Sequence, residues 1–216
     1  MIIDLHTHTS YGSPCGYMDP GQLIERAKVI GIDGVCITEH NQLWDQRAID
    51  SLVQRHGFLV IGGVEAATDC GEILVFGLHQ PLFGIDRVEE LREIVYRAGG
   101  VMIAAHPFRA LNASPSKPAD PLDIVDEVAD WLIFQYVDAI EVYNGAASMW
   151  EHKLGQMMCR RLDLRGTGGS DAHGILSVGL FATAFENEIR DEQDLIREIK
   201  EGRFEAVDRI SNRRWK

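Results

Sequence analysis

Apolar residues in this chain fall into short continuous runs separated by stretches of helical period. Ile2 to Leu5, Asp33 to Thr38, Phe58 to Val64, Ile73 to Leu78, Val101 to Ala105, Val137 to Val142, the Gly-rich Arg165 to Ser170 and Phe204 to Val207 read as strands. The continuous Val-Cys-Ile core of the second suggests burial on both faces, as in a parallel sheet. Between them lie helices. Asp19-Pro20 reads as N-cap and first residue of a helix that runs to Ile30 and stops at Gly31, with Leu23, Ala27 and Ile30 on one face. Trp44 to Arg55 carries Ile49, Leu52 and Val53 inward and ends at Gly57. Asp86 caps a helix with Val88, Leu91, Ile94 and Val95 as its stripe, closed by Gly99-Gly100. Leu122 to Phe134, Ser148 to Leu162 and Glu188 to Lys200, ended by Gly202, complete the set. About seven strands, each followed by a helix, predict an α/β fold of the barrel type. Ser114 to Pro121 is the most loop-like stretch and reads as a surface excursion beside the site, not a domain boundary.

Composition narrows the picture. A chain of 216 residues, 45% hydrophobic, suits a single domain spanning 1–216 with a sizeable core. A formal net charge of −12 argues against a broad basic face for nucleic acid, so a nucleic-acid partner is not expected. Cys15, Cys36, Cys70 and Cys159 show no C-x-x-C pairing, which favours reduced thiols and a cytoplasmic protein. No charged leader and no apolar run of membrane-spanning length is visible, so no membrane partner is expected either.

The chemistry gathers at the carboxyl ends of the strands. His6 and His8 follow the first strand at i and i+2, so both leave the same face, about 7 Å apart at Cα. Alone, such a pair is more often coincidence than a metal site. His40, His106 and His173, however, each follow another strand-like run, and Glu65 stands in the same setting after Val64. Parallel strands with such residues at their carboxyl ends converge on one mouth. Imidazole and carboxylate donors suit Zn, Mn or Fe without choosing among them. Arg109, three residues after His106, projects from a strand-to-helix loop, where a guanidinium pairs with phosphate; a plain surface charge is the alternative.

His6-Thr7-His8, Glu39-His40, Gly63-Val64-Glu65, Ala105-His106-Pro107 and Ser170-Asp171-Ala172-His173 follow, in order, the motifs of the PHP (polymerase and histidinol phosphatase) family, which the chain resembles from residue 3 to about 180. The resemblance implies a distorted (β/α)7 barrel with two or three divalent metal ions at the carboxyl ends of the strands. It also implies hydrolysis of a small phosphate ester by attack of metal-bound hydroxide. His6, His8, Glu65 and Asp171 would hold the first metal, and His106 with the shared Glu65 the second. His40 and His173 would contribute to a third. Asp171 or a cluster histidine such as His173 would handle protons, and Arg109 would stabilise the equatorial charge.

The sequence departs from the family pattern in three places. Glu72 stands where a further histidine is common, and His79 competes for that role; at opposite ends of one strand, about 20 Å apart, at most one reaches the cluster. The loop after the first motif offers Ser13, Pro14 and Cys15 in place of an Asp or His, so Cys15 is either a thiolate ligand or a plain loop cysteine. Glu39 replaces the commoner aspartate, which bears on substrate preference. Glu141, Tyr143 and Asn144 are expected to line the pocket. His152 reads as a solvated helix residue, His56 as a helix C-terminal histidine, and Arg209, Arg213, Arg214 and Lys216 as a solvated tail. The rival readings are a metal-binding regulatory domain without turnover and a nuclease. Which ester, which metal and which oligomeric state the sequence leaves open.

Overall fold

The computed structural model describes residues 1–12, 15–112, 114, 116 and 119–211. Ser13, Pro14, part of the 114–121 excursion (Pro115, Lys117 and Pro118), and Arg213, Arg214 and Lys216 of the tail lie outside them. Nine strands form one sheet: β1 (Ile2–Thr7), β2 (Gly34–His40), β3 (Leu59–Thr68), β4 (Gly71–Phe76), β5 (Val101–Ala104), β6 (Ala139–Asn144), β7 (Arg165–Gly169), β8 (Phe181–Phe185) and β9 (Phe204–Asp208). The helices are α1 (Pro20–Ile30), α2 (Gln46–His56), α3 (Val88–Ala98), the single turns α4 (Arg109–Asn112) and α5 (Val125–Val128), α6 (Met149–Leu162) and α7 (Glu192–Lys200).

The strand order is β7-β6-β5-β4-β3-β2-β1-β8-β9. β1, β2 and β3 run parallel, as do β5, β6 and β7. β4 is antiparallel to both of its neighbours, and β8 is antiparallel to β1. The sheet curls until its edges nearly meet. His8 N–H donates to the Ala172 carbonyl at 3.0 Å, and Thr183 Oγ1 bonds both the N–H and the carbonyl of Gly168 at 2.9 Å. The result is a nearly closed barrel, the α/β architecture expected, with the cluster of histidines and carboxylates at its mouth.

Local chemistry explains the elements. Asp19 and Gln22 form a capping box at the start of α1, Pro20 takes the first helical position, and Gly31 ends the helix at φ 70°, where a side chain would be strained. Ile3, Leu5, Cys36, Ile61, Leu74, Phe76 and Ile103 belong to one core with Leu195, Ile196 and Ile199 of α7. α7 closes the end opposite the mouth, where Glu192 accepts the Gly77 N–H at 2.8 Å. α1 and α2 cover one outer face, and α3 and α6 cover another.

Several sequence expectations are corrected. β8 (Phe181–Phe185) is a strand not anticipated from the sequence; it lies between β7 and the expected helix, which begins at Glu192 and not at Glu188. Leu122 to Phe134 is not one helix: it breaks into a 3₁₀ turn, α5 and a second 3₁₀ turn. Its apolar residues are too dense for a single stripe, and Trp131 and Phe134 turn inward to meet Phe108 at ring separations of 6.0 Å. Asp86 does not cap α3; Asp69 does so from the β3–β4 turn, accepting the Val88 N–H at 3.1 Å.

Candidate metal centre

The carboxyl ends of β1 and β3 and the segments after β5 and β7 bring His6, His8, Glu65, His106 and Asp171 together. His6 Nε2 lies 3.1 Å from His8 Nε2, 3.4 Å from Glu65 Oε1 and 3.5 Å from Asp171 Oδ1. His8 Nε2 lies 3.3 Å from both Glu65 Oε2 and Asp171 Oδ1. Donors bound at about 2.0–2.1 Å around a tetrahedral ion stand roughly 3.3 Å apart, so these separations fit one cation. A second group lies alongside. His106 Nε2 is 2.9 Å from Glu65 Oε1 and 3.6 Å from Glu72 Oε2, and His40 Nδ1 is 2.8 Å from Glu65 Oε2. A third gathers donor atoms of His8, His40 and His173 within 4.8 Å. Glu65 is thus central, and its buried Oε2 has no properly aligned hydrogen bond despite these neighbours. An orphaned carboxylate oxygen among imidazoles is what a bridging ligand presents before its cations arrive.

The electrostatics agree. Burial alone would raise the Glu65 carboxyl, but His6, His106 and His40 outweigh it and hold the group well below the usual range. Asp171, likewise buried, is held down by His6, His8 and Arg109. Burial works to lower His6, but Glu141, Glu65 and Asp171 raise it well above the ordinary imidazole value. His8, pushed down chiefly by burial, stays neutral and ready to ligate. The carboxylates that raise His6 thus make the centre of the cluster favourable for positive charge.

A surrounding layer fixes these side chains. His6 Nδ1–H donates to Glu141 Oε1 at 3.0 Å, which turns Nε2 toward the cluster. Glu141 Oε2 accepts the His106 N–H at 3.0 Å and Asn144 Nδ2 at 2.9 Å. Asp4, wholly buried in β1, accepts N–H groups from Ser170 and Gly179 at 2.9 Å, tying the Asp171 loop to the first strand. Burial pushes Asp4 up to about 6 against those hydrogen bonds. His106 and Asp171 adopt φ of 29° and 50°, strained values for such residues that the surrounding bonds hold in place.

Glu72 reaches the mouth because β4 is antiparallel, so its amino end lies beside the carboxyl end of β3. His79 does not; it is 60% exposed, 3.6 Å from Glu192 at the opposite end. No cysteine, Cys15 included, joins a three-donor group among the described residues. Arg109 Nη2 donates to Asp171 Oδ2 at 2.6 Å and Asn144 Oδ1 at 3.3 Å. Asn144 lies within this network, whereas the Tyr143 ring stacks on Phe181. His56 ends α2 and meets Glu25 at 3.1 Å. His152 is not solvated as its helix suggested; it is buried, packed edge-on against Tyr143 and Phe181, with Nε2 3.0 Å from the Asn144 carbonyl oxygen. Asp4 and the double role of Glu141 were missed from sequence. A lone aspartate inside the apolar Ile2-Ile3-Asp4-Leu5 run was the available signal.

An uncharacterized protein, MJ1587, of Methanocaldococcus jannaschii is 29% identical over 153 residues, 67% of this chain and 82% of that one. A two-domain protein from Bacteroides vulgatus, described as containing a predicted PHP-like metal-dependent phosphoesterase, shares the fold with a TM-score of 0.71. The identity there is 19%, over 96% of this chain and 64% of the other. The lesion-specific endonuclease EndoQ of Pyrococcus furiosus does so with a TM-score of 0.60 and 16% identity, over 95% of this chain and 57% of that one. In this chain the family model of the PHP domain matches residues 4–131 and that of the PHP-associated region residues 150–204, so the chain belongs to the PHP domain family.

Proposed function

We propose that the protein is a metal-dependent phosphatase that hydrolyses a small phosphomonoester. One observation carries this reading: buried Glu65 stands between donor groups spaced for cations, with an oxygen that no hydrogen bond satisfies. His6, His8, Glu65 and Asp171 would hold one divalent ion, and Glu65, Glu72 and His106 a second. His40 and His173 would contribute to a third. Ions of zinc, manganese or iron bound there supply an activated water and neutralise phosphoryl charge.

The chain's own residues do the rest. Arg109 has its side chain 44% exposed, and both of its hydrogen bonds leave from Nη2, so Nη1 and Nε can donate to a phosphate. Asp171, pinned by that guanidinium, keeps one oxygen toward His6 and His8. His173 Nδ1 lies 3.0 Å from the Asp171 carbonyl oxygen; donation there leaves Nε2 as the unprotonated nitrogen, free to ligate or to take up a proton that it can later deliver to the departing alcohol. The formal charge of −12 favours a small ester over a nucleic-acid polyanion.

Phosphate release from a panel of small phosphomonoesters, with added Mn or Zn, tests the reading. His6→Ala and Asp171→Ala should each lose activity by at least about 100-fold, more than loss of an outer partner costs. Full activity in both variants contradicts the site, and bound metal without turnover on any ester supports a regulatory domain instead.

A further inference from the structure

We propose that Glu72 makes one end of the cluster oxygen-rich, so that the position it shares with Glu65 and His106 selects manganese while the imidazole-rich end takes zinc. The inference rests on the metal-dependent reading above and narrows the cofactor of that same site. Donors differ across the cluster. His8, His40 and His173 bring three imidazoles within 4.8 Å at their donor atoms, with the His8 ring stacked 4.4 Å from that of His40 and 4.3 Å from that of His173. At the other end, His106 Nε2 has two carboxylates for neighbours, Glu65 Oε1 at 2.9 Å and Glu72 Oε2 at 3.6 Å. His40 stands where the two ends meet, with donor atoms of Glu65 and Glu72 also within 4.8 Å. Imidazole nitrogen binds zinc much more tightly than manganese, whereas carboxylate oxygen separates the two ions far less. A position with two carboxylates and one imidazole therefore discriminates against manganese less than a position with three imidazoles.

The fold holds Glu72 to this task. Its backbone is fixed on both sides: it stands opposite Ala67 of β3, and its carbonyl accepts the Ala105 N–H at 3.0 Å, one residue before His106. Its side chain is 37% exposed, and among the described residues no hydrogen bond engages the carboxylate. Three other carboxylates near the cluster differ in this respect. Glu141 accepts from His6 and His106, Glu39 from Thr9 and Trp44, and Asp4 from Ser170 and Gly179. Those three are occupied in holding the protein together, whereas Glu72 can turn onto an ion without giving up a hydrogen bond. Its fixed backbone also limits the entropy lost when it does so.

Dialysis of the full chain against mixtures of manganese and zinc, followed by elemental analysis of the protein, tests the assignment. With manganese in large excess, the wild type should retain manganese beside zinc. Glu72→Ala should weaken manganese binding by about tenfold or more. Glu72→His should move the zinc-to-manganese affinity ratio toward zinc by about tenfold. Glu72→Gln keeps an oxygen donor and drops the charge, so both ions should bind more weakly with their ratio nearly kept. His79→Ala, which removes the exposed histidine at the opposite end of the barrel, should change neither affinity. Manganese binding that survives Glu72→Ala, an unchanged ratio in Glu72→His, or zinc alone in the wild type overturns the inference. A shift in Glu72→Gln as large as that in Glu72→His also overturns it, because charge and not donor type would then set the preference. Phosphate release measured on the same samples separates the two readings. Metal selection without release keeps the role of Glu72 and sinks the phosphatase; release with no such selection does the reverse.

Discussion

Glu141 shows how much of the site depends on a residue that contacts no substrate. Its two oxygens serve His6 Nδ1, the His106 N–H and Asn144 Nδ2, all donors. In Glu141→Gln the amide can offer oxygen to one side only and must set its own N–H groups against the other. The expected result is a metal affinity about 10- to 100-fold weaker, with the fold retained. A competition titration against a chelator reads it, and an unchanged affinity would remove Glu141 from this role. The cluster residues themselves were legible, because a histidine or carboxylate at a strand's carboxyl end faces the mouth whatever its distant partners are. Glu141 was read as a pocket residue but not as the orienter of His6, since that pairing spans 135 residues and depends on barrel closure. His152 was misread because α6 buries Glu151 and His152 beside its apolar stripe, a face that periodicity alone marks as polar.

At the scale of elements, closure depends on glycines in β7. A Cβ on Gly169 would lie 2.5 Å from His6 Cβ and 2.6 Å from Glu141 Oε1, so the strand approaches β1 only without a side chain there. Gly169→Ala should therefore destabilise the protein by about 1–3 kcal/mol, the usual cost of overpacking. It should also weaken metal binding, because the atoms that must give way are those orienting His6. Denaturant unfolding with and without metal separates the two effects; equal destabilisation in both conditions would show that the added methyl never disturbs the cluster. The Gly-rich composition marked this strand without saying what it approached. The alternation of strands and helices was legible through β3 and again from β6 to β7. It failed where direction matters, since an apolar run such as Ile73 to Phe76 looks the same parallel or antiparallel. That reversal is what carries Glu72 to the mouth and His79 away from it.

At the scale of the molecule, the segments matched by the PHP domain and the PHP-associated region share one sheet, and α7 connects the antiparallel strands β8 and β9 at its edge. Glu198 of α7 accepts Arg203 Nε at 2.7 Å and Asn187 Nδ2 at 2.8 Å, and Arg203 leads directly into β9. The hydrogen bond from Arg203 is the chief reason that the Glu198 carboxyl falls from 4.5 to about 2. A depressed carboxylate contributes stability above its unfolded pKa, and that contribution fades as pH drops from about 4.5 to 2. Glu198→Gln should then cost about 1–2 kcal/mol near neutral pH, a value reduced for solvent screening around Arg203. The gap between wild type and variant should close on acidification through that window; a gap constant with pH would mean that packing, not charge, holds the joint. Because β8 and β9 edge the same sheet that carries the candidate metal cluster, we expect the whole chain to unfold as one domain. Far-ultraviolet circular dichroism and tryptophan fluorescence should report a single coincident transition. Two separated transitions would show instead that the PHP-associated segment melts on its own.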